Sequence, residues 1–177
     1  TMEISRKMNL ELSLISLRKG LTEAADNETL GNEMSHQMMS QNNRHSSIKP
    51  TWVVPHPDGQ RVFVAANGAD MILEIDLFKW EVVRTFHTGK GPYNIEITGD
   101  GKKMIVSYKS EGATGIWDLC QEKELAVIKN SREITHGISV SPDNKYAFVS
   151  VEGKGIERGS VDIISLDKYK LIDVVEV

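Results

Sequence analysis

The 177-residue chain holds one cysteine, Cys120, so no disulfide can form within it. That suits the cytosol, and equally a periplasmic protein that avoids thiols. Basic runs are missing too, and the formal charge is −4. Neutralising phosphates needs clustered Lys and Arg, so nucleic acid is not an expected partner. No apolar stretch approaches the ~20 residues of a membrane span. The opening "TMEISRKMNLELSL" lacks the apolar core and small-residue cleavage site of a secretory signal. Cys-x-x-Cys-His does not occur, which excludes covalent haem attachment within this segment. Gly-x-Ser-x-Gly is absent, and no Ser is tied by sequence to a His base. From Pro50 onward, sustained helical periodicity is lacking as well.

What is present is repetition. "HPDGQRVFVAAN" (56–67) is echoed by "TGDGKKMIVSYK" (98–109) and "SPDNKYAFVSVE" (141–152). Asp58 and Asp100 lie 42 positions apart, and Asp100 and Asp143 lie 43 apart. Pro50, Pro92 and Thr135 head the units; Val62, Met104 and Ala147 begin the apolar runs after each turn. Asp76 and Asp118 close "ILEID" and "TGIWD" in the same register. Ser165 takes the equivalent place, displaced by four extra residues in "EGKGIERG".

Each unit reads as four short strands. Around Asp58, Pro57 presets φ, the carboxylate bonds back to the backbone, and Gly59 accepts a positive φ. "RVFVAA", "MILEIDL" and "EVVRTF" then alternate or run apolar, rich in β-branched residues and Phe. The second and third units repeat the scheme. A small four-stranded sheet with two apolar faces cannot bury both alone, whereas radial stacking covers each face with the next unit. The period matches that of propeller blades. A β-sandwich also has many short strands but needs no turn in fixed register. The expected fold is therefore all-β: three four-stranded antiparallel propeller blades at 49–90, 91–133 and 134–177.

"SPDNKYAFVSVEGKG" and "HPDGQRVFVAANGADMILEIDL" resemble the YVTN-type (YncE-like) β-propeller repeat, and the likeness covers residues 49–177. Gly99 in place of the turn proline, Asn144 in place of its glycine and Ser165 in place of the aspartate depart from that pattern. The resemblance implies a periplasmic or cell-surface propeller that binds a protein, polymer or small ligand at its channel mouth, without catalysis. Similar blades also occur in lactonases, haem nitrite reductase and quinoprotein dehydrogenase subunits, which makes an enzyme or redox protein the alternative. Three blades fall short of the usual four to eight. A segment of a longer protein is expected, or several chains assembling a ring, with apolar faces left on the terminal blades.

Residues 1–48 differ. "LELSLISL" (10–17) alternates like a strand, as the tail of a preceding blade would. A long polar connection follows, with a helical turn expected over 21–26. Met34, His36, Met38, Met39 and His45 gather thioether and imidazole groups that suit copper, though their spacing matches no fixed metal motif. No cofactor is otherwise expected.

In the resembled architecture the innermost strands line a channel, and the connections into them cluster at one mouth. That makes Trp52, Asn67, Tyr93, Asn94, Lys109, His136 and Glu152 the candidate ligand-binding group. The bland alternative packs Trp52 and Tyr93 between blades and bonds His136 to a neighbouring backbone. His56, beside a turn, is expected in solvent. The pairs Glu122/Glu124 and Glu152/Glu157 are expected in solvated turns. "EGKGIERG" opens no helix, so it reads as a long surface loop rather than a phosphate cradle.

Overall fold

The computed structural model describes residues 48–177. The strand-like 10–17 stretch, the 21–26 turn and the Met34, His36, Met38, Met39 and His45 group lie outside the described residues. Twelve strands form three four-stranded antiparallel sheets, each a meander in chain order. Blade one comprises β1 (Pro50–Pro55), β2 (Arg61–Ala66), β3 (Met71–Asp76) and β4 (Glu81–His87). Blade two comprises β5 (Pro92–Ile97), β6 (Lys103–Tyr108), β7 (Ala113–Asp118) and β8 (Lys123–Lys129). Blade three comprises β9 (Ile134–Val140), β10 (Tyr146–Glu152), β11 (Ser160–Ser165) and β12 (Lys170–Glu176). A 3-10 turn, Asn67–Ala69, follows β2. The inner strands β1, β5 and β9 lie side by side. This is the β-propeller arrangement.

Strand alternation builds the core. Successive side chains of β6 point to opposite faces, and both faces are buried. Met104, Val106 and Tyr108 pack with Phe63, Ala65, Ile72 and Phe86 of blade one. Ile105, one residue out of phase, packs with Ala147, Val149, Val151 and Ile164 of blade three. Full burial of one such aliphatic side chain is worth about 1.5–3 kcal/mol. Blade two is thus covered on both sides. Blades one and three each leave apolar side chains in solvent: Val53 and Val83 on the first, Tyr146, Phe148, Ile172 and Val175 on the third.

The repeated turn has one mechanism in three copies. Asp58 Oδ1 accepts the N–H of Gln60, Asp100 Oδ1 that of Lys102, and Asp143 Oδ1 that of Lys145. The side chain two residues earlier bonds the same carboxylate. Thr98 Oγ1 donates to Asp100 at 2.6 Å and Ser141 Oγ to Asp143 at 2.6 Å. His56 holds the equivalent place in blade one, its Nδ1 accepting the Asp58 N–H at 3.2 Å and lying 2.9 Å from Asp58 Oδ2. The expectation that His56 sits in solvent is corrected: it is buried, and its Nε2 donates to the Gly101 carbonyl of blade two at 2.9 Å.

The departures at 99 and 144 are coupled. Asn144 has φ +59 and so fills the glycine role. Its Oδ1 also accepts the N–H of Gly99 across the blade boundary at 2.7 Å. A proline at 99 has no N–H to give. Asn144→Gly should preserve the turn but lose this bond, at about 0.5–1.5 kcal/mol in urea denaturation. Gly99→Pro added to Asn144→Gly should cost less than Gly99→Pro alone, because both changes remove the same contact. Full additivity would show that the two positions act separately.

The turn carboxylates also set an acid limb. The Thr98 hydroxyl holds the Asp100 carboxyl below its usual range, and the Ser141 hydroxyl does so for Asp143. A lowered folded-state pKa contributes stability that is fully present above the unfolded value of about 4. That stability is lost as pH falls through the folded value. Asp100→Asn should therefore flatten the dependence of unfolding free energy on pH below about 4. An unchanged slope would remove this turn from the acid response.

Candidate functional site at one end of the blades

Antiparallel meanders place equivalent connections at the same end. One end carries the Asp turns just described. The other gathers the 67–70, 109–112 and 153–159 connections and the blade-to-blade crossings 88–91 and 130–133. This second end is the mouth.

Four of the seven candidate residues meet there. Tyr93 on β5 lies edge-on to His136 on β9, ring centroids 5.6 Å apart. Lys109, just past β6, sets its Nζ 4.3 Å from the Tyr93 ring centre, in cation–π range. His136 Nε2 donates to Glu152 Oε2 at 2.6 Å. A continuous Lys109–Tyr93–His136–Glu152 array therefore crosses from blade two to blade three. The cause is register. Tyr93 and His136 are equivalent positions of adjacent inner strands, while Lys109 and Glu152 end the second strands beside them. Tyr93, Lys109 and His136 are half-buried and Glu152 is exposed, so the array is solvent-accessible.

The other three candidates lie outside this array. Asn94 is buried; its N–H donates to Ser107 Oγ, and its Oδ1 accepts the Ile138 N–H of blade three at 3.1 Å. Asn67 Nδ2 donates to the Pro92 carbonyl at 3.3 Å, tying blade one to blade two. Trp52 is half exposed and lines a shallow cavity of about 420 Å³ with Pro50, Thr51, Val53 and Val64.

The carboxylate pairs also separate. Glu122 pairs with Arg84 of blade one at 3.1 Å. Glu124 is not in a solvated turn, as expected, but half-buried on β8, where Oε1 accepts the Tyr108 hydroxyl at 2.5 Å. Burial pushes the Glu124 carboxyl up, and burial also raises the Tyr108 hydroxyl. Glu157 pairs with Arg132 at 3.0 Å, away from Glu152.

Two buried carboxylates were not legible as such. Asp162 is fully buried and accepts the Ser131 N–H at 2.7 Å, the Ser131 hydroxyl and Asn130 Nδ2 at 3.0 Å. It fastens the 130–133 crossing to blade three. Glu74 is buried in blade one between Arg61, at 3.2 Å, and Arg84, at 3.5 Å. Arg84 continues to Glu122, so Arg84 bridges blades one and two. Both carboxylates serve blade packing. Among the described residues, no group of three or more His, Cys, Asp or Glu is arranged to hold a metal ion.

No family model matches the chain, and no curated protein matches it in sequence. Solved structures match it in shape. Hydrazine synthase of Kuenenia stuttgartiensis is similar with TM-score 0.69 and 19 % identity, over 82 % of this chain and 40 % of that one. U3-55K and the RRP9 WD40 repeats are each similar with TM-score 0.64 and 15 % identity, over 75 % of this chain and 40 % of theirs. The chain thus spans about 40 % of the length of these proteins. At such identities the likeness shows the fold alone, and that fold is the β-propeller.

Proposed function

We propose that the chain is part of a non-enzymatic binding scaffold of the YVTN repeat type that takes a ligand or partner at its mouth. The observation that supports this most is the Lys109–Tyr93–His136–Glu152 array. It offers an aromatic edge, a cation and a hydrogen-bonding dyad on one accessible surface, fixed by two adjacent blades. Binding sites on propellers reside in such connections while the stacked sheets hold them rigid. The WD40 proteins among the similar structures fit a scaffold reading. A periplasmic or extracellular place follows the YVTN resemblance and is part of the same proposal.

One observation favours a second reading, a propeller enzyme or redox subunit. Glu152 orients His136 as a carboxylate orients a general base. Hydrazine synthase, among the similar structures, is an enzyme.

A chemical-shift screen of small carboxylates, sugars and peptides, run beside a lactone-hydrolysis assay, separates the two. Under the scaffold reading, binders shift the amides of residues 93, 109, 136 and 152, and Tyr93→Ala weakens binding about 10-fold, some 1.4 kcal/mol. Lactone turnover that His136→Ala abolishes would favour the enzyme. Binders that map to the Asp-turn end would contradict both.

A further inference from the structure

Both interfaces between blades join two different kinds of sheet face. Blade one meets blade two with Phe63 and Phe86, and blade two meets blade three with Ile105, Ile116 and Ile128. These are trailing faces. Opposite them stand leading faces: Ile95, Met104, Val106 and Trp117 on blade two, and Ile138, Ala147, Val149 and Ile164 on blade three. Neither interface sets like against like.

Strand pairing carries this scheme onto the two faces left uncovered among the described residues. On blade three, Phe148 pairs with Ile163 and Val161 with Val175. The same pairings in blade two join Ile105 to Ile116 and Thr114 to Ile128. Phe148, Ile163 and Val175 therefore hold trailing positions, and Phe148 and Val175 are exposed. On blade one, Val53 pairs with Val64 and Val62 with Ile75. Blade two pairs Ile95 with Val106 and Met104 with Trp117 in that register. Val53, Val62, Val64 and Ile75 thus hold leading positions; Val53 is exposed and the other three are half-buried. One uncovered face is the mate of the other.

Shape agrees with register. Within the chain Phe63 packs in one cluster with Ile95 and Val106. At the equivalents of those two residues, Val53 and Val64, blade one carries the cavity of about 420 Å³ described above. Phe148, in the place of Phe63, is the side chain that register brings to it. Ile163 stands where blade one has Glu74, so this contact buries no carboxylate at its centre.

We infer that two copies of the chain close one ring, the trailing face of each blade three covering the leading face of the other copy's blade one. Such head-to-tail contacts form rings only when the rotation closes. Three blades from each of two copies make six, the one multiple of three within the usual four to eight. In the ring Thr51 of the second copy comes beside His136, as Thr51 lies beside Tyr93 within the chain, where its hydroxyl donates to the Tyr93 carbonyl at 2.9 Å. The mouth then runs on from one copy to the other. Uncovered apolar sheet faces become the interface, by the same burial that stacks the internal blades.

Sedimentation of the 177-residue chain should give twice the monomer mass, falling to one copy on dilution. Phe148→Glu and Val64→Glu should each raise the dimer dissociation constant at least about 100-fold, because each buries an unpaired charge only in the dimer. Circular dichroism of both variants should keep the strand spectrum. Mixing the two should restore a two-copy species, since the first keeps an intact leading face and the second an intact trailing face. In the unaltered chain, amides of residues 62, 64 and 148 should shift with concentration while those of β6 stay fixed, a reading that needs no variant to fold. A monomer at every concentration would overturn the inference. So would a dimer that Phe148→Glu breaks and Val64→Glu does not, which would mean like faces packed together. A mixture that stays monomeric, or assemblies of three or more copies, would overturn the two-copy ring as well.

Discussion

The structure depends on hydrophobic burial of both faces of the middle sheet. Along β6, Met104, Val106 and Tyr108 turn to one neighbour and Ile105 to the other. Neither set has another apolar surface to join, because a single sheet cannot fold onto itself over six residues. Stacking is therefore forced by the strand period, and the 42–43-residue repeat carries that requirement from one blade to the next. The inner strands then lie side by side, and the connections gather at two ends.

Polar contacts select how the stacked sheets are set against one another. At the Asp-turn end, His56 reaches Gly101 and Asn144 reaches Gly99. Nearer the mouth, Asn67, Asn94 and Asp162 each tie one blade to the next or to the crossing before it. The Glu74 carboxylate between Arg61 and Arg84, with Arg84 running on to Glu122, fixes the first interface by charge. The equivalent face of blade two is apolar, where Ile116 and Ile128 pack toward blade three. Both interfaces are apolar at the centre, and the first adds a chain of ion pairs. The consequence for function is a mouth whose residues are positioned by packing some distance below them.

The blades were legible because strand alternation and turn chemistry are local signals. Val62, Met104 and Ala147 each mark a strand start without reference to distant residues. The partners were less legible, since contacts across a blade boundary join residues some 25 to 45 positions apart. His56 shows the limit. Its equivalents Thr98 and Ser141 are both hydroxyl residues placed two before an Asp, a shared signal that marks it as a turn-closing group. Glu124 carries no such mark, because its partner Tyr108 lies on another strand. At the mouth, register brings equivalent residues of adjacent inner strands to one end. It does not say whether a side chain there reaches its neighbour's ring, as Tyr93 does, or its neighbour's backbone, as Asn94 does. That choice follows from the pleat and the bulges that interrupt β5 and β9 pairing.

Residue-resolved hydrogen exchange on the monomer tests the stacking claim most directly. If burial on both faces of blade two organises the molecule, amides of β6 exchange more slowly than the equivalent amides of β2 and β10, whose sheets are each covered on one side. Protection of β2 or β10 equal to or greater than that of β6 would contradict the account.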